Sequence, residues 1–247
     1  MPTPATASRK PRLAYINLPQ GPSHVCPRFT VERGIRALGD EVWQGYAGKF
    51  DRDRYADCAA IVWTPRARNR EIMRRQAEIG GKTIVLENGY LHDARGQRYF
   101  SWGFDGYNGT GEHRNTDSPP DRWEKLGLRI EAWRRRGKHV LILGQRGMGP
   151  PGIAHDNAWP RTTVERLIRL TDRPIVYRVH PGAQSGSTPS LGCRISAGKP
   201  LEEDLQDCWA VVTFKSTAAI TALRLGIPVF AEAGCFAARL GSTDVAR

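Results

Sequence analysis

The chain has 247 residues, 40% of them hydrophobic, which suffices for one large α/β domain or two small ones and argues against a disordered polymer. Lysine and arginine outnumber aspartate and glutamate by 37 to 25, a formal charge of +12 that favours nucleic acid, an anionic polymer or phosphorylated small molecules as partners. No run of about 18 apolar residues exists to span a membrane, and five scattered cysteines without a C-x-x-C pair give neither a zinc site nor a disulfide framework.

The opening "MPTPATASRKPR" lacks the apolar centre of a signal peptide and reads as a flexible lead over 1–12 of a soluble, cytoplasmic protein. "RLAYINLP" is the first predicted strand, followed by a loop and helix in "HVCPRFTVERGIRALG". "CAAIVWTP" is the second strand, "ARNREIMRRQAEIG" a basic helix and "KTIVLENGYL" the third strand. Residues 95–120 read as irregular, and "DRWEKLGLRIEAWRRRG" as a helix joining two halves. "KHVLILGQ" opens the second half. It continues with a helix in "WPRTTVERLIRLT", a strand in "PIVYRVHPG", a short helix in "PLEEDLQDC" and a strand–helix–strand in "DCWAVVTFKSTAAITALRLGIPVF".

Short apolar runs separated by helices predict parallel sheets with crossover helices. The expected architecture is two Rossmann-like halves with a cleft between them, an acceptor-side half over 13–137 and a nucleotide-binding half over 138–247. The surplus charge is concentrated in the first: residues 1–138 hold 25 basic and 16 acidic side chains.

In such sheets ligands bind beyond the carboxyl ends of the strands. In the second half these positions hold Gln145 and Arg146 in a glycine-rich turn, Arg178 and His180, then Lys215, Ser216 and Thr217 at a strand-to-helix junction, and Glu232. Cations at successive strand ends, with a helix start, suit a diphosphate, and Glu232 suits a ribose or sugar hydroxyl. The "GQRGMG" turn lacks the Gly-Lys-Ser/Thr ending of a phosphate-binding NTPase loop, and no Gly-x-Gly-x-x-Gly follows the first strand. In the first half the corresponding residues are His24 and Glu87-Asn88-Gly89-Tyr90.

The ordered set "VLENGYL…FDGYNG", "LILGQR", "YRVHP" and "FKSTAAITALRLGIPVF" resembles the capsular-polysaccharide-biosynthesis group of GT-B glycosyltransferases, which includes Kdo transferases. The resemblance rests on Glu87, Gly89, Tyr90 and Leu91; Gly106 and Asn108; Gly144 and Gln145; Arg178, His180 and Pro181; Ser216 and Thr217; and Gly226, Pro228 and Val229. It implies a GT-B fold and a nucleotide-sugar donor, with no permanently bound cofactor and metal-independent transfer. Lys215 stands where the resemblance implies a small or polar residue.

Transfer to a hydroxyl needs a base on the acceptor and positive charge or N–H donors on the leaving phosphate. Asp105, in the aromatic, glycine-rich loop, is the first candidate base, with Glu87 and His24 behind it. The basic first half suggests a phage-type enzyme, working in a host cytoplasm, whose acceptor is a hydroxymethylated pyrimidine of double-stranded DNA. The stretch "QRYFSWGFDGYNGTGEHR" would serve it: Phe100, Trp102, Phe104 and Tyr107 as stacking groups, Arg98 and Arg114 on phosphates, and Asn88 and Asn108 beside them. A polysaccharide or glycolipid acceptor, and a non-catalytic nucleic-acid-binding protein on the same scaffold, are the alternatives. The sequence specifies no oligomeric state.

Overall fold

The computed structural model describes residues 12–18, 28–44, 59–63, 67–93, 96, 98–114, 116–146, 155–183 and 190–246. His24 lies outside them, and Arg98 is described by its backbone alone. Contacts divide the described chain into two units. The first takes residues within 1–89, 100–107 and 111–117, and the second those within 90–99, 108–110 and 118–247. The boundary expected at 137/138 thus falls inside the second unit.

The first unit is built on a sheet in the order β2-β1-β3-β4-β5, with β1 Leu13–Asn17, β2 Glu41–Gln44, β3 Ala60–Trp63, β4 Thr83–His92 and β5 Arg98–Phe104. β1 pairs in parallel with β2 and β3, and β3 with β4. Alternate residues of these strands point to opposite faces, and both faces are covered. Tyr15, Ala60, Val62 and Val85 pack with Ile72 of helix α2 (Ala67–Glu78). Ile16, Leu18, Ile61 and Leu86 pack with Val31 and Ile35 of α1 (Arg28–Ala37). Burial on two sides is why β1, β3 and the start of β4 are nearly continuous apolar runs.

The second unit repeats the plan. Its sheet has the order β10-β9-β6-β7-β8, with β6 His139–Leu143, β7 Ile175–Arg178, β8 Arg194–Ser196, β9 Cys208–Thr213 and β10 Val229–Ala231, all paired in parallel. One face packs Leu141, Val176 and Val211 against Ala219, Ala222 and Leu223 of α6 (Ala218–Arg224). The other packs Val140, Ile142 and Tyr177 against Val164 and Leu167 of α4 (Trp159–Leu170). The short α5 (Leu201–Leu205) precedes β9.

Two expectations are corrected. Residues 95–120 are not irregular throughout: they contain β5 and a 3-10 turn at Asn108–Thr110. The joining helix is only α3, Asp121–Leu126, because Gly127 takes a left-handed φ of 64° and donates its N–H to Glu124 O, the usual glycine stop. Beyond it, 127–138 forms a non-helical strap tied by Glu131 N–H to Arg224 O (2.8 Å), Arg134 N–H to Gly226 O (2.7 Å) and Lys138 N–H to Asp207 O (2.7 Å).

Candidate functional site

Strand order in the second sheet reverses between β6 and β9, and the crevice outside their carboxyl ends is the place where such sheets take ligands. β6 delivers Gly144, Gln145 and Arg146 there. Gly144 donates its N–H to Arg178 O (2.9 Å), and a Cβ on it would lie 2.6 Å from Tyr177 Oη and 2.7 Å from Arg178 O, so only glycine lets the turn come this close. Gln145 Oε1 accepts the N–H of His155 (3.1 Å), while Arg146 is exposed.

β9 delivers the hydroxyls. Thr213 is buried, its Oγ1 donating to Leu143 O (3.4 Å) and accepting Ser216 N–H (3.1 Å), which stitches the ends of β6 and β9 together. Ser216 Oγ accepts Ala218 N–H (3.4 Å), and the next two amides bond to Ser216 O and Thr217 O. The first turn of α6 therefore satisfies these amides internally, while the Ser216 hydroxyl, accepting from Ala218, keeps its own O–H to donate. Thr217, at the N-cap position, makes no side-chain capping bond. The Lys215 ammonium sits 5.6 Å from the Phe214 ring centroid and beside the left-handed Gly234.

The two predicted residues at the end of β7 are placed differently. Arg178 is turned into the unit: it bonds Asp204 Oδ2 (2.6 Å) and Lys199 O (2.6 Å), and Asp204 also takes Ser196 Oγ (2.7 Å) and Lys199 Nζ (2.9 Å). Burial alone would raise the Asp204 pKa, but Lys199, Ser196 and Arg178 together hold it below the usual carboxylate value. His180 stays at the edge. Its Nδ1 accepts Gly182 N–H (2.9 Å), which leaves the ring hydrogen on Nε2, and burial with the charge of Arg146 holds its pKa below the ordinary imidazole value.

Glu232, after β10, accepts a hydrogen bond from Trp159 Nε1 (3.0 Å). Trp159 stacks on His155 (5.2 Å, 19°), and Phe214 meets both rings edge-on. Trp159, Thr163, Arg166, Thr213, Phe230 and Glu232 line a cleft on this edge. Sequence reasoning missed His155, Trp159 and Phe214. The available signal was Asp156 shortly before the helix, whose Oδ1 accepts the N–H groups of Ala158 and Trp159 and so fixes where the tryptophan enters.

The first unit places its candidates at different ends of the sheet. Trp63, the last residue of β3, is in register with Leu86, so Glu87 is level with the carboxyl edge where ligands bind. Its Oε1 accepts Asn88 N–H (2.8 Å) and Asn88 Nδ2 (3.2 Å). Asp105 lies at the amino end of β4: it donates its backbone N–H to Thr83 O (2.7 Å), and its carboxylate accepts Thr83 N–H (2.8 Å) and Lys82 Nζ (2.7 Å). Lys82 is raised in pKa by that bond. Asp105 also adopts a positive φ of 55°, a strained setting for a non-glycine residue.

The aromatic stretch separates likewise. Phe100 packs edge-on against Trp63, and Tyr107 joins the core around Tyr15. Phe104 lies under the Arg114 guanidinium (4.7 Å), which also bonds Glu112 (2.7 Å). Trp102 is 47% and Tyr99 42% exposed. Asn108 belongs to the second unit, where its Oδ1 accepts Phe236 N–H (2.6 Å). Among the described residues no three of His, Cys, Asp and Glu cluster to hold a metal, and no helix is long and apolar enough to cross a membrane.

No protein-family model and no curated protein matches the chain. Solved structures do. A β-Kdo 2,7 transferase, KpsC of Thermosulfurimonas dismutans, aligns over 91% of this chain and 80% of its own at 13% identity, with a TM-score of 0.60. The β-Kdo 2,4 transferase KpsC of the same organism aligns over the same shares at 13% identity and a TM-score of 0.55. At this identity the likeness is one of fold, and the fold is the two-sheet α/β architecture of GT-B glycosyltransferases.

Proposed function

We propose that the chain is a glycosyltransferase using a nucleotide-sugar donor bound at the carboxyl edge of the second sheet. The observation that carries this is the convergence of Gln145, Arg146, His180, Lys215 and Ser216 on strand ends flanking or adjoining the switch point, with Glu232 and Trp159 beside them. In this reading Arg146, Lys215 and the Nε2–H of His180 meet the charge that develops on the leaving phosphate as the sugar–oxygen bond breaks. Ser216 and Thr217 add hydroxyls, and Glu232 accepts from a ribose or sugar hydroxyl. Arg178 holds β7 to α5 through Asp204 and contributes by fixing the strand end.

Glu87 is the base we assign to the acceptor hydroxyl, in preference to Asp105, because it is level with the ligand edge of its sheet. Two acceptors have support. Exposed Tyr99 and Trp102, with the basic surplus, favour a hydroxymethylated pyrimidine in DNA. The likeness in fold to two Kdo transferases favours a glycan or glycolipid hydroxyl. The test is a transfer assay with a panel of nucleotide sugars on duplex DNA carrying 5-hydroxymethylcytosine or 5-hydroxymethyluracil, and in parallel on oligosaccharide and glycolipid acceptors, read by mass spectrometry. A product heavier by one sugar identifies donor and acceptor together. Absence of both product and nucleotide binding would sink the reading and leave a scaffold without catalysis.

A further inference from the structure

The strap over 127–138 carries five basic residues and one carboxylate. Its backbone is fixed by the bonds to Arg224, Gly226 and Asp207, and Arg134 is drawn beneath it, donating to the carbonyls of Leu205 (2.7 Å), Gln206 (3.0 Å) and Cys208 (2.9 Å). Lys138 pairs with Asp207 (2.9 Å). What remains on the surface is Arg129, Ile130, Trp133, Arg135 and Arg136, with Glu131 among them. Ile130 is 71% and Trp133 60% exposed, and among the described residues no carboxylate pairs with Arg129, Arg135 or Arg136. On α2, by contrast, Arg74 and Arg75 are engaged with Glu71, and Arg74 also with Glu78.

We propose that this strap is a docking face for an anionic lipid bilayer surface. Unpaired guanidinium groups beside exposed apolar side chains call for a partner that is negative at its surface and apolar just below it. A bilayer with acidic headgroups has this profile: tryptophan favours the headgroup level, an aliphatic side chain reaches the acyl boundary, and arginines are drawn to the acidic leaflet. Single-stranded nucleic acid would use Trp133 for stacking but has no use for Ile130. Two apolar side chains bury little area, so the association is reversible and depends on charge. It requires no spanning helix, and it stands apart from whether the chain transfers a sugar.

The experiment is cosedimentation of the full chain with vesicles of phosphatidylcholine alone and of phosphatidylcholine mixed with phosphatidylglycerol, at rising salt. The chain is expected to bind the mixed vesicles, to ignore the neutral ones, and to be released by salt. Arg135→Gln with Arg136→Gln should lower partitioning roughly thirtyfold, at about a five- to sixfold factor for each arginine near the surface. Ile130→Ser with Trp133→Ser should lower it at least tenfold while leaving the urea unfolding midpoint in place, since both side chains are exposed. Failure of the wild-type chain to bind acidic vesicles would overturn the proposal, as would binding that both double variants retain. Single-stranded DNA bound more tightly than the vesicles, and weakened by the same variants, would reassign the strap to nucleic acid.

Discussion

Gly144 ties the candidate donor edge to the packing of β6 against β7. A methyl group added there meets both the Tyr177 hydroxyl and the Arg178 carbonyl, neither at a tolerable distance. Gly144→Ala should therefore destabilise the chain by about 2 kcal/mol, the usual cost of overpacking, as measured by urea denaturation. Adding Tyr177→Phe should restore only part of the loss, because the carbonyl remains; a wild-type midpoint in the single variant would mean that the turn is not held this closely. The base assignment belongs to the same scale. Glu87→Gln should lower kcat by about 10²–10⁴-fold with donor affinity kept, whereas Asp105→Asn should stay within a few fold of wild type. The reverse result would return the base to Asp105. Sequence reading placed both carboxylates near strand β4, but without strand register it could not tell that Asp105 meets the amino end of β4 at Thr83 while Glu87 sits midway along it, level with the end of β3. It also counted Arg178 with the ligand cations, since nothing in "YRVHP" reveals that a buried Asp204, distant in sequence, claims the guanidinium.

At the scale of elements, the strands buried on two faces were legible because each is an apolar run between turn signals, as in "HVLIL" and "CWAVVT". Of the edge strands, β10 was legible in "GIPVF", but β2 and β8 were not. β2 and β8 are only four and three residues long, with half or more of their residues polar, and one open edge frees them from the apolar pattern. β5 hid behind its glycines, although the aromatic-rich "RYFSWGF" has the composition of a strand. The strap failed differently. Leu126, Ile130 and Trp133 have helical spacing, but the end of α6 and the loops after α5 and α6 compete for the backbone of Glu131, Arg134 and Lys138, and Arg134 caps three carbonyls with one guanidinium. Arg134→Ala should accordingly cost about 2 kcal/mol by urea denaturation, the range of a charge-assisted hydrogen bond removed from partly buried partners. Arg135→Ala and Arg136→Ala, made separately, should leave the midpoint unchanged. Equal effects at all three positions would restore the helical reading, in which none of them is anchored.

For the molecule as a whole, acid should erode stability in two separate windows. His180 and His139 both have pKa values below the ordinary imidazole value. Burial is the main cause in each, joined by Arg146 for His180 and opposed at His139 by its hydrogen bond to the Asp204 carbonyl. Such groups bind protons more readily in the unfolded chain. The folded state is therefore at full stability above about pH 6.5 and loses it as pH falls from there towards the lowered values. Asp204 behaves as a carboxylate whose pKa is depressed by folding, so its contribution is present above about pH 3.8 and is lost only as pH drops through the still lower folded value. Urea unfolding at a series of pH values should show a first decline below neutrality that His139→Gln combined with His180→Gln flattens, and a second, steeper one in strong acid that these substitutions leave alone. If the double variant kept the first decline, the protons would be entering elsewhere. If Asp204→Asn shifted the first window, the buried Arg178–Asp204–Lys199 cluster, not the imidazoles, would be setting the stability of the second unit near neutral pH.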